Sequence, residues 1–143
     1  MSRFTQALGT AAAVVVLPIV QATGSLSATA VQVPANLENQ QSEQRGAQLF
    51  RQNCVQCHGA PGIAEPVRGL VPPPPDLLRA GRRNDPAEIF PKIKNGIPAT
   101  AMPAWGDQLS DQDIWALAAF LHHSRGISAS DFDTLSKSGQ VTQ

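Results

Sequence analysis

Tyrosine is absent from this chain of 143 residues, and the remaining aromatics are five Phe and two Trp. Against them stand 12 Pro and 11 Gly, which break much of the backbone into loops. That is little apolar mass to hold so much irregular chain, because each ordered residue costs conformational entropy that only burial offsets. A large buried cofactor would supply the difference. Surplus charge is also missing, with 11 basic residues against 11 acidic ones. A chain so balanced has no general attraction for nucleic acid or anionic lipid. No internal repeat and no sustained strand alternation is visible, and the length fits one domain.

The beginning of the chain reads as a secretory signal. Arg3 supplies the positive start, residues 7–20 form a short apolar run, and Ala28-Thr29-Ala30 has the small-x-small form of a cleavage site. The rival reading is an uncleaved anchor. Gly9, Thr10 and Pro18 interrupt the run, however, and it falls short of the roughly 20 residues that span a bilayer. Residues 1–30 are therefore expected to be removed on export, leaving a mature form without a membrane span.

Residues 31–41 read as a flexible lead-in, residues 42–126 as the folded domain and residues 127–143, rich in Ser, Thr, Gln and Gly, as a loose tail. Within the domain, Gly46, Leu49, Phe50 and Asn53 recur at helical spacing from Ser42 onward. The glycines and the run Pro72-Pro73-Pro74-Pro75 between residues 59 and 84 favour turns and extended chain. A second helix is expected from Asp85, with Pro86 at its first position and Gly96 as its stop. Pro91 inside it, at a cost of about 3 kcal/mol, predicts a kink or two short turns. The strongest helical pattern runs from Ser110 to about Ser124: Ser110 and Asp113 are spaced as a capping pair, and Ile114, Leu117, Ala118 and Leu121 form an apolar stripe.

Both cysteines lie in Cys54-Val55-Gln56-Cys57-His58. In this arrangement two thiols add to the vinyl groups of a haem and the adjacent imidazole binds the iron from one side. The alternatives are an exported disulfide, a thioredoxin-like redox pair or half of a zinc site. The redox pair lacks a βαβ context and the zinc site a second cysteine pair.

With these residues in place, the chain resembles the class I cytochrome c family, small all-helical carriers with an early Cys-x-x-Cys-His and a late methionine. The resemblance covers about residues 42–124. It rests on the ordered series of Gly46 and Phe50, the pentapeptide, the proline-rich loop ending in Pro75-Asp76-Leu77, Gly96, Met102-Pro103-Ala104-Trp105, and the last helix with Trp115 and Phe120. It implies an all-α cytochrome c fold of about three main helices with long loops around one covalent haem c. It also implies that the first and last helices cross closely and that a proline carbonyl in the loop accepts a hydrogen bond from His58. The Pro72 to Pro75 run supplies unranked candidates for that carbonyl.

Met102, the only methionine besides the initiator, precedes a proline and so favours extended backbone, which suits a ligand presented from a loop. A thioether as the second axial ligand raises the reduction potential and fills the sixth position of the iron, favouring electron transfer over oxygen or gas binding. His122 and His123 are competing donors, although histidines in a last turn are favourable against the helix dipole without any metal. Trp105 reads either as a partner for a haem propionate or as an apolar cover. Arg79, Arg82 and Arg83 read as a solvated face that could also meet propionates. The expected function is that of a periplasmic one-electron carrier, not an enzyme, with redox proteins as donor and acceptor. The alternative is a cytochrome subunit of a periplasmic dehydrogenase complex.

Overall fold

The computed structural model describes residues 31–64 and 67–138. The signal-sequence reading of residues 1–30 lies outside the described residues. Among the described residues there are five helices and no strand beyond one isolated bridge between Ala60 and Ile63. No helix among them is long and apolar enough to cross a membrane.

Helix α1, Gln40–Asn53, starts two residues before the expected Ser42, because Asn39 is the cap and its side chain accepts from the Ser42 amide. The preceding segment is more ordered than a flexible lead-in: Leu37 is buried, and its amide donates to the Pro34 carbonyl. Gly46, Ala47, Leu49 and Phe50 form the buried face of α1. Helix α2, Val55–His58, is a single turn that follows directly on Cys54.

Helix α3, Pro86–Asn95, is one continuous helix despite Pro91. The chain does not divide into two short turns at Pro91. Asp85 caps it through the Ala87 amide, Pro86 sits where no amide is needed, and Phe90 and Ile93 bury one face, offsetting the hydrogen bond that Pro91 forfeits. Gly96, with φ of +70°, turns the chain out of α3. A Cβ there would come within 2.8 Å of the Met102 carbonyl oxygen and of the Ala104 amide nitrogen, so the close approach of the following loop also requires glycine.

Helix α4, Asp111–His123, begins as its capping pair predicts, with Ser110 accepting from the Asp113 amide. Its stripe of Ile114, Leu117, Ala118 and Leu121 is buried. α1 and α4 cross where α1 carries Gly46, at which a Cβ would strike the Ala116 carbonyl oxygen and fall 2.6 Å from Phe120 Cβ. Trp115 stacks on Phe90 with ring centroids 4.1 Å apart, joining α4 to α3.

The presumed loose tail contains helix α5, Ala129–Lys137, capped by Ser128. Phe132 is fully buried against Phe50 and Phe120, with centroids 6.1 and 6.0 Å away. Arg51 of α1 bonds Asp133 and Ser136 and lies over the Phe132 ring. These contacts hold a helix that composition alone makes unpromising.

Candidate functional site

The pentapeptide grows out of the end of α1. Cys54 caps that helix, its amide bonded to the Phe50 carbonyl, and its own carbonyl accepts from the amides of Cys57 and His58. One turn thus places both sulfurs and the imidazole at the end of a helix that is itself wedged against α4. Both thiols are free and partly buried. Burial pushes the Cys54 thiol up to about 12, with the neighbouring Cys57 as the lesser cause. A thiol so placed stays protonated near neutral pH, which does not suit a thioredoxin-like pair, whose attacking sulfur must ionise.

His58 Nδ1 lies 2.8 Å from the Pro75 carbonyl oxygen. A carbonyl only accepts, so Nδ1 carries the hydrogen and Nε2 is left with its lone pair. Among the four prolines of the run, Pro75 is thus the partner. Burial lowers the pKa of His58, the Pro75 bond partly opposes this, and Arg82 lowers it further. The ring is consequently held neutral, as a metal ligand must be.

Met102 sits on the loop between α3 and α4. Its amide donates to the Thr100 hydroxyl, which in turn donates to the Ile97 carbonyl, and the Met102 carbonyl accepts from the Ile97 amide. Farther along, the Trp105 amide bonds the Ile93 carbonyl and the Gly106 amide that of Lys94. The loop is therefore laced back onto the end of α3 on both sides of the methionine.

Cys54, Cys57, His58 and Met102 line one cavity of about 540 Å³. Its other walls include Val67, Leu70, the Pro72 to Pro75 run, Ile89, Ile93, Trp105 and Leu121. Arg82, Arg83, Glu88 and Lys92 supply charge, and all but Arg82 are exposed. These residues fit a haem. The donor set is two thiols, a neutral imidazole of fixed tautomer and a thioether, the walls are mainly apolar, and the volume falls within the usual range for cofactor sites.

The remaining candidates divide. Trp105, Arg82 and Arg83 line the cavity, whereas Arg79 lines a separate hollow beside His58 and Gly59. Trp115, Phe50 and Phe120 lie in the helix packing. His122 and His123 are not among the lining residues, and His122 Nδ1 donates to the Asn84 carbonyl.

Asn84 is the residue that sequence reasoning missed. Buried in the cavity wall, it donates to the carbonyls of Leu77 and Leu121 and accepts from Arg82, pinning the proline-rich loop to α4. A lone Asn before Asp-Pro reads as turn chemistry, and nothing local marks this role.

A family model described as cytochrome C oxidase, cbb3-type, subunit III matches residues 41–121. Cytochrome c6 of Bumilleriopsis filiformis is 34% identical over 88 residues, covering 61% of this chain and 90% of that protein. The cbb3-type cytochrome c oxidase subunit CcoP of Azospirillum sp. (strain B510) is 34% identical over 85 residues, or 57% of this chain; the match spans only 28% of that subunit. Among solved structures, cytochrome CL of Methylophaga aminisulfidivorans superposes with a TM-score of 0.47 at 20% identity, covering 68% of this chain and 64% of that one.

Proposed function

Because the chain belongs to the c-type cytochromes, in the family described as cytochrome C oxidase, cbb3-type, subunit III, we propose that it holds one haem c, attached through Cys54 and Cys57, with His58 and Met102 as the protein ligands of the iron. The observation that carries this reading is the convergence of those four side chains, from the end of α1 and from a loop about 45 residues later, on one apolar cavity. When bound, the haem supplies a one-electron couple.

The chain's own residues then have separable tasks. Cys54 and Cys57 tether, and the helical turn between them fixes their spacing. His58 offers Nε2 because Pro75 occupies the other nitrogen, which also sets the plane of the ring. Met102 would offer a soft thioether sulfur, a donor that favours reduced iron and would keep other ligands off the metal. Ile89, Ile93 and Leu121 keep water away, while Arg82, Arg83 and Trp105 are placed to meet carboxylates.

Acid-acetone extraction tests the attachment. Haem should remain with the protein, and haem released into the organic phase would remove Cys54 and Cys57 from their role. The proposed location is the periplasm, on the signal pattern of residues 1–30, and mass spectrometry of the mature protein should find a start near Val31.

A second reading, that of a cytochrome subunit within a larger redox complex, is favoured by apolar exposure at the cavity. Val71, flanked by the lining residues Leu70 and Pro72 but not itself part of the lining, is 86% exposed. Size-exclusion chromatography of native protein separates the two: elution as a lone small protein supports the diffusible carrier, and coelution with a partner supports the subunit.

A further inference from the structure

We propose that Glu38, His122 and His123 form a binding site for a divalent transition cation of the zinc type, where the end of α4 meets the segment before α1, outside the cavity lining. Their three donor atoms lie within 4.8 Å of one another. The two imidazoles arrive from the last turn of α4 and the carboxylate from the residue before the cap of α1.

Each imidazole has its Nδ1 directed at an acceptor. His122 Nδ1 donates to the Asn84 carbonyl at 2.9 Å, which fixes the hydrogen there and leaves Nε2 with a lone pair. The Asn84 backbone is itself immobilised by the buried side-chain bonds to Leu77 and Leu121. His123 presents Nδ1 toward Glu43, 3.7 Å away, and Nε2 toward Glu38, 3.6 Å away. A carbonyl on the other nitrogen, as at His122, is a common way of orienting a metal-binding histidine, whereas Glu43 stands near His123 Nδ1 beyond hydrogen-bond distance.

Glu38 is exposed, but its backbone does not wander. Leu37 on one side is buried, and Asn39 on the other caps α1 while its amide group bonds the Asn36 carbonyl. The end of α4 adds the negative pole of its dipole, which favours a cation. Arg125, bonded to the His122 carbonyl, is the opposing charge that the site must accommodate.

In a tetrahedral zinc site with bonds of about 2.1 Å, neighbouring donors stand roughly 3.4 Å apart. Closing from the observed spacing to that one requires rotation of Glu38 and His123, both at exposed positions. Two imidazoles and one carboxylate suit zinc and leave a fourth position for water. The cation would clamp the segment before α1 to the end of α4. This site is independent of the haem assignment.

Calorimetric titration of chelator-washed holoprotein with zinc chloride tests it. One equivalent should bind, the melting temperature should rise with zinc, and the haem absorbance should stay unchanged, since neither histidine lines the cavity. Glu43→Gln should weaken zinc binding roughly tenfold. Glu38→Gln and His123→Gln, both at exposed positions, should weaken it by more and remove the thermal shift. Absence of zinc binding overturns the proposal, as does binding of equal affinity in both of those variants, which would place the metal elsewhere on the surface.

Discussion

On one side of α4, Phe120 meets Phe50 of α1 and Phe132 of α5, three rings with centroids 5.5 to 6.1 Å apart and no exposure. On the other side, Leu121, Ile93 and Ile89 line a 540 Å³ cavity closed by proline-rich chain and the Met102 loop. The first region is finished by protein atoms alone. The second has apolar walls and loops held by backbone bonds and a few side chains such as Asn84 and His58, so its stability depends on what fills it.

The harshest test of that contrast is Cys57→Ser. Covalent attachment should fail and stable folding with it, since no side chain substitutes for the cofactor on the loop side. A haem-free variant with full helical circular dichroism and a cooperative melt would break the comparison.

Phe132→Ala addresses the other side. It should cost about 3 to 5 kcal/mol in denaturant unfolding with haem retained, the range for truncating a buried Phe. A loss below about 1 kcal/mol would mean that α5 does not complete the aromatic cluster.

Met102→Ala should cost less stability, about 2 kcal/mol, because the side chain is only partly buried. Haem should stay attached, the reduced protein should bind carbon monoxide, and the reduction potential should fall. A variant that excludes carbon monoxide and keeps its potential removes Met102 as the ligand.

The smallest effect concerns the surface of the helix pair. Arg45 holds the Asp113 carboxyl below its ordinary range, with the Ser110 hydrogen bond a lesser cause. A depressed carboxylate stabilises the fold above its unfolded value and loses that contribution as pH falls through the folded one, which places the loss below about pH 4. Asp113→Asn should therefore cost under about 1 kcal/mol at pH 7 and almost nothing below that window, as measured by urea unfolding at both.

What sequence reveals here follows how local the chemistry is. The pentapeptide is legible because Cys54, Cys57 and His58 must share one helical turn, and α4 because its cap and stripe lie within 13 residues. Met102 stands out by its scarcity and its proline. α5 was missed because its support is distant: Arg51, some 80 residues earlier, reaches Asp133 and Ser136. Pro91 reads locally as a point of division, yet α3 is one element, since a single lost hydrogen bond is outweighed by a good cap and two buried side chains. Asn84 and the choice of Pro75 among four prolines depend on a tertiary arrangement that no window of sequence contains.

The seat of Phe132 bears on where one would cut this module to move it into another protein. The match to the family stops at residue 121, and a fusion drawn at that border would leave out α5 entirely. The grafted piece would display the Phe50 and Phe120 rings and an unpaired Arg51, exposing apolar surface worth about 2 kcal/mol per buried ring it no longer covers. Such a graft would be sticky before it was unstable, associating through the uncovered rings. A border set after Ser138 keeps the lid with its vessel.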